Sequence, residues 1–373
     1  MVEHVQDNDL FLGPPLSRDV RVLSDGSWVV SRYDDVIRVL GHQNAEVDGS
    51  VRQLMERVSQ AWPERYSAWR NIYQLILLQS GYPHRRLRKS TGRLLQMSSV
   101  RVDHDALSKA ARTFIETKDV DAISALVEPA IDCSMAPLFG FATKEMTQIR
   151  ESGVGVYRSL SSGLAQIKPS DFEAENRRLV ETYSQVVGRS GDAWTEQDYA
   201  TVFLCTFGLR PLSDLAANTL AFVAANPELQ ELARTSGGGD VAFWTEAERY
   251  FISARYIHRH SRGDGLRVGE HHVAAGQRII CDIAAANRDP ARWPDPDRFD
   301  ETRAPLSNLA FGAGAHRCLG VALSRQFLPQ FLSGILRAAR VAPGRLPIKR
   351  RCTMAVEEPI EVPLTFKLLE TAQ

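Results

Sequence analysis

The chain has 373 residues, and its 45 basic and 45 acidic side chains balance to a formal net charge of zero at pH 7. This balance gives no electrostatic reason to expect nucleic acid or an anionic membrane as the main partner, so a small-molecule ligand is favoured. The length permits one or two domains and is sufficient for a large hydrophobic core.

The sequence contains neither a membrane-span pattern nor a disulfide pattern. No stretch approaches the roughly 18 consecutive apolar residues that a span needs, and the first 20 residues lack a basic segment followed by an apolar run. We therefore expect a cytoplasmic protein with no membrane partner. The five cysteines are odd in number and far apart, which argues against a disulfide framework or a zinc site.

Short-range patterns predict an early strand followed mostly by helices. Trp28 to Val30 form an apolar run typical of a short strand, and helical periodicity begins at Asp34. Apolar residues then recur at spacings of three and four in the segments HDALSKAARTFIETK, AISALVEPAIDCSMAPLFG and DFEAENRRLVETYSQVVGRSG. Gly188 and Gly191 are placed to end the third of these helices.

The longest predicted helix starts at Thr195, whose side chain is placed to cap it together with Asp198. It runs for about 30 residues, which corresponds to a length of about 45 Å. Pro211 interrupts this helix, because proline removes a backbone hydrogen bond at a cost of about 3 kcal/mol. The sequence therefore predicts either a kinked helix or two separate helices here.

The pattern changes near residue 265. After a glycine-rich loop at 235–240 and one more helix, the segment GLRVGEHHVAAGQRIICDIAAAN alternates and carries turn glycines as a small sheet does. The segment RDPARWPDPDRFD contains three prolines and predicts an irregular loop, and ALSRQFLPQFLSGILRAAR predicts a last helix. Together these elements predict a mainly α fold with a small β region.

The ten residues before the last helix read FGAGAHRCLG, from position 311 to 320. Their glycines permit tight turns and close approach, and backbone N–H groups at a helix start would stabilise Cys318 as a thiolate. Considered alone, a single cysteine beside a glycine turn is usually a buried structural residue. The segment resembles the haem-binding loop of the cytochrome P450 family, Phe-Gly-x-Gly-x-His-x-Cys-x-Gly, at every fixed position.

This resemblance implies that Cys318 is the thiolate ligand of the iron in haem b. It places Phe311 and Gly320 beside the thiolate and His316 at a haem propionate. It also implies the cytochrome P450 fold, with residues 1–373 forming one haem-thiolate domain.

Three further basic residues match propionate ligands of the family. His84 and Arg88 in GYPHRRLRKS resemble its His-x-x-x-Arg pair, and Arg259 matches the remaining propionate arginine. Considered alone, a basic helix face is more often simply solvated.

The resemblance extends to a buried Glu-Arg-Arg network. Glu246 and Arg249 in TEAERY match the family's Glu-x-x-Arg helix, and Arg298 in PDPDRFD matches the arginine that completes the network. A glutamate and an arginine three residues apart are also a common surface pair worth a few tenths of a kcal/mol.

The long helix departs from the family pattern Ala-Gly-x-(Asp/Glu)-Thr. Gly208 is retained, but Arg210 replaces the acid and Pro211 replaces the alcohol. Proline offers no hydrogen-bond donor, and a permanently charged arginine is a poor proton shuttle. The usual proton relay is therefore missing.

Three functions fit this departure. The first is an oxygen- and electron-dependent monooxygenase or oxidase in which substrate groups or ordered water organise the protons. The second is a peroxide-driven peroxygenase in which Arg210 binds a substrate carboxylate, as in the branch of the family that carries Arg-Pro. The third is a non-catalytic haem-containing binding module, against which the intact Cys318 argues. A structural Arg210, satisfied by carbonyls freed at the Pro211 kink, is the simpler alternative to a catalytic one.

We favour oxidation of a small organic substrate in bacterial natural-product biosynthesis. Electrons would come from a ferredoxin that docks on the proximal side, where Arg85, Arg86 and Arg317 offer positive charge. Four aromatic residues in the variable segment at 51–79 either line a substrate pocket or belong to the core. They are Trp62, Tyr66, Trp69 and Tyr73.

Overall fold

The structure is a computed structural model that describes residues 20–47, 49–72, 74–96, 99–115, 117, 119–162, 168–353 and 355–369. Tyr73 lies outside the described residues. The α-helices are α1 (Tyr33–Gly41), α2 (Ser50–Ala61), α3 (Trp69–Ile72), α4 (Gly81–Gln96), α5 (His104–Thr113), α6 (Glu128–Phe139), α7 (Thr143–Ser162), α8 (Pro169–Val187), α9 (Glu196–Phe203), α10 (Leu209–Ala225), α11 (Pro227–Thr235), α12 (Val241–Tyr250), α13 (Ile283–Ala286) and α14 (Val321–Leu336).

The strands are short and lie mostly in the C-terminal third of the chain. They are β1 (Arg21–Val22), β2 (Trp28–Val30), β3 (Ala45–Val47), β4 (Val120–Asp121), β5 (Tyr256–Ser261), β6 (Leu266–Val268), β7 (His271–Val273), β8 (Arg278–Asp282), β9 (Arg340–Pro343), β10 (Lys349–Cys352), β11 (Glu357–Glu361) and β12 (Pro363–Lys367). The mainly α fold with a small β region is confirmed.

The largest sheet has the strand order β1-β2-β8-β5-β3. Its β2 and β8 pair in parallel, with Trp28 opposite Ile279, and its other pairs are antiparallel. The segment expected to form one local sheet is therefore divided, because β6 and β7 form a separate hairpin while β8 joins the N-terminal strand. The remaining strands form a β4-β12-β9 sheet and a β10-β11 pair.

Two hydrophobic clusters fill the interior. The larger one lies among the helices and contains Leu220 and Phe331. The smaller one, which contains Val36, Ile279 and Trp293, lies between α1 and the five-stranded sheet. Burial of these side chains removes apolar surface from water, which is the main stabilising contribution to such a fold.

The long helix is continuous but locally widened. Thr195 and Asp198 form the expected capping box at the start of α9, and helical backbone continues through a π-helical turn at Leu204–Gly208 into α10. Pro211 is the third residue of α10 and has no N–H to donate to the carbonyl of Phe207, which lies four residues earlier in that widened turn. The π-helical turn is thus the means by which the chain accommodates the proline.

Gly188 ends α8 with a φ of +68°, as the sequence predicts. Within the part of the chain that the structure describes, no single helix is long and apolar enough to cross a membrane, although Ile123–Phe139 and α7 meet such a criterion jointly as a pair bent by 107°.

Candidate active site

The loop before α14 is held in a fixed shape around Cys318. Gly312 and Gly314 have φ values of +65° and +68°, a region in which side chains other than glycine are strained. A Cβ atom on Gly314 would lie 2.1 Å from the carbonyl oxygen of Leu40 in α1, so glycine is also required for close approach. The Cys318 N–H donates a hydrogen bond to the Phe311 carbonyl at 2.8 Å, which closes the loop.

The sulfur of Cys318 lies at the N-terminus of α14. The Gly320 N–H donates a hydrogen bond to Sγ at 3.3 Å. Burial raises the pKa of the Cys318 thiol, and the Gly320 N–H, Arg88 and Arg317 offset part of that effect. Cys318 is nevertheless an exposed residue, so it is open to a ligand, and the positive groups beside it act in favour of the thiolate form that a metal ion requires.

Four basic side chains gather close to this loop. The imidazole rings of His84 and His316 stack with centroids 3.8 Å apart. Burial, followed by Arg259 and His84, lowers the pKa of His316 to about 3, and burial followed by Arg88 and Arg259 lowers the pKa of His84. Among the described residues, neither Arg88 nor Arg259 forms an ion pair with a carboxylate.

The arginines contribute to the lowered pKa of both imidazoles because like charges repel one another. Positive charge that lacks a carboxylate partner is the property expected of an anion-binding site. A bound anion would neutralise the two arginines and accept hydrogen bonds from both imidazoles. The two carboxylates of a haem, together with an iron that takes a thiolate ligand, match this donor set. The residues present therefore fit haem.

The predicted Glu-Arg-Arg network is present with a different third member. Arg249 binds Glu246 through two hydrogen bonds of 2.7 Å and also donates to the main-chain carbonyl of Arg298 at 3.2 Å. The guanidinium that approaches Glu246 belongs to Arg303, with Nε at 3.4 Å. The prediction for Arg298 is therefore corrected, because that residue turns its carbonyl inward and its side chain is exposed.

A second buried carboxylate, missed from the sequence, supports the cysteine loop. Glu248 of α12 accepts two hydrogen bonds of 2.7 Å from Arg325 of α14. The Arg325 guanidinium lies 6.0 Å from the centroid of the Phe311 ring. This chain of contacts connects α12, α14 and the loop, and Phe311 is its contact point with the loop.

The widened helix presents an apolar stripe. Phe203, Phe207, Gly208 and Pro211 are half-buried, whereas the residues between Phe203 and Phe207 are buried. Spacings of four, one and three residues place this stripe on one side of the helix. The Phe203 and Phe207 rings stack with centroids 6.0 Å apart.

Arg210 is bound by the protein itself. Its guanidinium donates to Glu358 of β11 at 2.8 Å, to Glu128 of α6 at 3.0 Å and to the Pro359 carbonyl at 3.2 Å. Asp214 lies 3.5 Å from its Nε. The expected contacts with carbonyls freed at the kink are replaced by carboxylates from distant segments, which compete with any substrate carboxylate.

The remaining predicted residues are the arginines near the cysteine loop and the aromatic residues at 62–69. Arg85 and Arg317 are exposed, whereas Arg86 pairs with Glu196 at 2.7 Å. Among the aromatic residues, Tyr66 and Trp69 are buried and Trp69 packs against Phe172, so they belong to the core, while Trp62 is 57% exposed.

Comparisons with known proteins point to one family. A sequence model of the family described as "Cytochrome P450" matches residues 249–362. The chain is 28% identical over 352 residues to Cytochrome P450 GfsF of Streptomyces halstedii, covering 87% of this chain and 82% of that protein. It is 34% identical over 97 residues to the mycinamicin IV hydroxylase/epoxidase of Micromonospora griseorubida, covering 25% of this chain and 24% of that protein. The crystal structure of CalO2 superimposes with a TM-score of 0.78 at 20% identity, covering 94% of this chain and 93% of that one.

The chain therefore belongs to the cytochrome P450 family and has its fold. It is an oxidoreductase of the monooxygenase type, and its cofactor is haem, as in the rest of the family.

Proposed function

We propose that the chain binds haem b through Cys318 and oxidises a small organic substrate with dioxygen and electrons from a ferredoxin, as a monooxygenase or oxidase. The observation that carries this proposal is the exposed Cys318 sulfur at the start of α14, beside four basic side chains without a carboxylate partner among the described residues. When bound, the haem supplies the oxidising chemistry.

Each residue of the site has a defined part in this proposal. Cys318 supplies the thiolate, and the Gly320 N–H holds its charge at the helix start. Arg88, Arg259, His84 and His316 hold the two propionates. In a second set, Phe311 packs at the loop, while Glu246 and Arg249 of α12, together with Arg303, hold that helix against the loop that follows α13.

The contacts of Arg210 favour dioxygen over peroxide as the oxidant. In the peroxide-driven alternative, a substrate carboxylate would bind Arg210. It would first have to displace Glu358 and Glu128, and it would leave the fully buried Glu358 with one fewer partner at a cost of several kcal/mol. A direct test is turnover driven by hydrogen peroxide with carboxylic acids, for which we expect no product.

The substrate side of the proposal is apolar. The stripe formed by Phe203, Phe207, Gly208 and Pro211 provides hydrophobic surface and no side-chain proton donor. We propose a substrate from bacterial specialised metabolism, since one relative is named for hydroxylation and epoxidation of mycinamicin IV. The exposed Arg85 and Arg317 support an acidic redox partner near the cysteine loop.

The test is the absorption spectrum of the reduced protein with carbon monoxide. Wild type should show the red-shifted band of a thiolate-ligated haem, and Cys318→Ser should lose it. Cys352→Ser, which changes another exposed cysteine, should retain the band. A wild-type holoprotein without the band would overturn the assignment of Cys318.

A further inference from the structure

A line of buried polar side chains joins α7 to α10. Ser253, in the segment after α12, donates a hydrogen bond to one carboxylate oxygen of Asp214 in α10. Tyr157 of α7 lies close to this pair. Burial raises the pKa of the Tyr157 hydroxyl, Asp214 adds to that effect, and Ser253 counteracts part of it. Ser253 therefore lies within reach of both Asp214 and Tyr157, and its hydroxyl is hydrogen-bonded to Asp214.

The Tyr157 end of this line meets an internal cavity between α6, α7 and the long helix. The volume open to the centre of a water molecule is about 20 Å³. One buried water molecule needs roughly 10–15 Å³ on this measure, so the cavity can hold one. The hydroxyls of Tyr157, Thr206 and Ser213 line it, and each is buried without a hydrogen-bond partner of ordinary geometry in the described part of the chain. Such groups are normally satisfied by water.

The cavity also approaches the surface. Arg351 of β10 lines it, and the side chain of Arg351 is 27% exposed. Arg150 and Glu128 complete the polar part of its wall. A water molecule in the cavity would therefore lie between bulk solvent on one side and the Tyr157 hydroxyl on the other.

Asp214 lies where the acid–alcohol pair is missing. It follows Pro211 by three residues, so the two are neighbours on the surface of α10. Burial raises the pKa of its carboxyl group to about 6, against the opposing effect of Arg210. Its second oxygen, Oδ1, accepts no hydrogen bond in the described structure. The groups that face Asp214 are Arg210 of the same helix, Tyr157, Ser253, Glu358 of β11, and Arg350 and Arg351 of β10.

We propose that Tyr157, Ser253 and Asp214 carry protons from the water-holding cavity to the Pro211 side of α10, in place of the missing acid–alcohol pair. This proposal rests on the proposed function. Ser253 passes its hydroxyl proton to Asp214 and takes one from Tyr157, which in turn takes one from the cavity water. That water is reprotonated from solvent, so one proton enters for each proton that Asp214 releases.

The first test does not depend on turnover. The infrared spectrum of the holoprotein should contain the band of a protonated buried carboxyl group that titrates with a midpoint near pH 6. Asp214→Asn should remove this band. Asp132→Asn, the matched change at another buried aspartate that is paired with Arg150, should leave it. A wild-type spectrum without a titrating carboxyl band would overturn the proposal.

The second test uses a surrogate ferredoxin, its reductase and NADPH without added substrate. Asp214→Asn should raise the share of electrons released as hydrogen peroxide at least about twofold, because proton supply then limits the reaction. Ser253→Ala should raise it similarly while keeping the carboxyl band, and it carries the test if Asp214→Asn does not fold. An equal rise in Asp132→Asn would show a merely structural role and overturn the proposal.

The carbon monoxide band separates the two proposals. A missing band in wild type would overturn the proposed function through Cys318. A normal band with unchanged peroxide release in both Asp214→Asn and Ser253→Ala would overturn only the proton route.

Discussion

Replacement of Gly314 by alanine should separate the cysteine loop from α1. Gly312 and Gly314 have nearly the same φ, so alanine at either position incurs the left-handed penalty of about 1–2 kcal/mol. They differ in what the new Cβ meets. At Gly312 the nearest atom is Cδ1 of Ile257 at 3.7 Å, an ordinary contact, whereas at Gly314 it is the Leu40 carbonyl oxygen at 2.1 Å.

The carbonyl of Leu40 is backbone and cannot rotate away, so the loop or α1 must shift by about 1 Å. Overpacking of this kind typically adds about 1–3 kcal/mol. We therefore expect Gly312→Ala to lower the free energy of unfolding by about 1–2 kcal/mol and Gly314→Ala by about 2–5 kcal/mol. Thermal unfolding of both holoproteins, with the haem content from absorbance, measures the difference. Equal losses in the two variants would refute the close approach as the reason for glycine at 314.

Three further predictions follow from the site and the core. Arg303→Ala should destabilise the fold by about 3 kcal/mol, because it leaves Glu246 buried with fewer partners, while Arg298→Ala should change stability by less than about 0.5 kcal/mol in urea unfolding. Arg259→Gln should weaken haem retention about tenfold in a transfer assay to apomyoglobin, because it removes a propionate partner, and an unchanged transfer rate would contradict this role. Trp69→Ala should cost about 3–5 kcal/mol, whereas Trp62→Ala should cost under about 1 kcal/mol, and similar costs would contradict their assignment to core and surface.

Features with local causes were predictable from the sequence. The capping box at Thr195 and the end of α8 at Gly188 depend on side chains and backbone angles within one turn. The loop at 311–320 is similar, since its glycines and its cysteine act within ten residues and its family pattern is complete. In such segments the interactions that determine the structure lie within the segment itself.

The long-range partners were decided by the tertiary structure. Arg210 meets Glu128 and Glu358, which are 82 and 148 residues away, so no local pattern indicates that its guanidinium is already bound. Arg303 rather than Arg298 reaches Glu246 because the path of the loop after α13 determines which side chain turns inward.

The Asp214 line and its cavity have the same origin. Tyr157, Ser253 and Asp214 come from three separate segments, and no local sequence pattern indicates that they lie together. Their burial beside one another requires α7, α10 and the segment after α12 to pack together. The cofactor could therefore be predicted from the residues of one compact motif. The surroundings of Arg210 and Pro211 could not, because they are assembled from side chains far apart in the chain and exist only once those segments pack together.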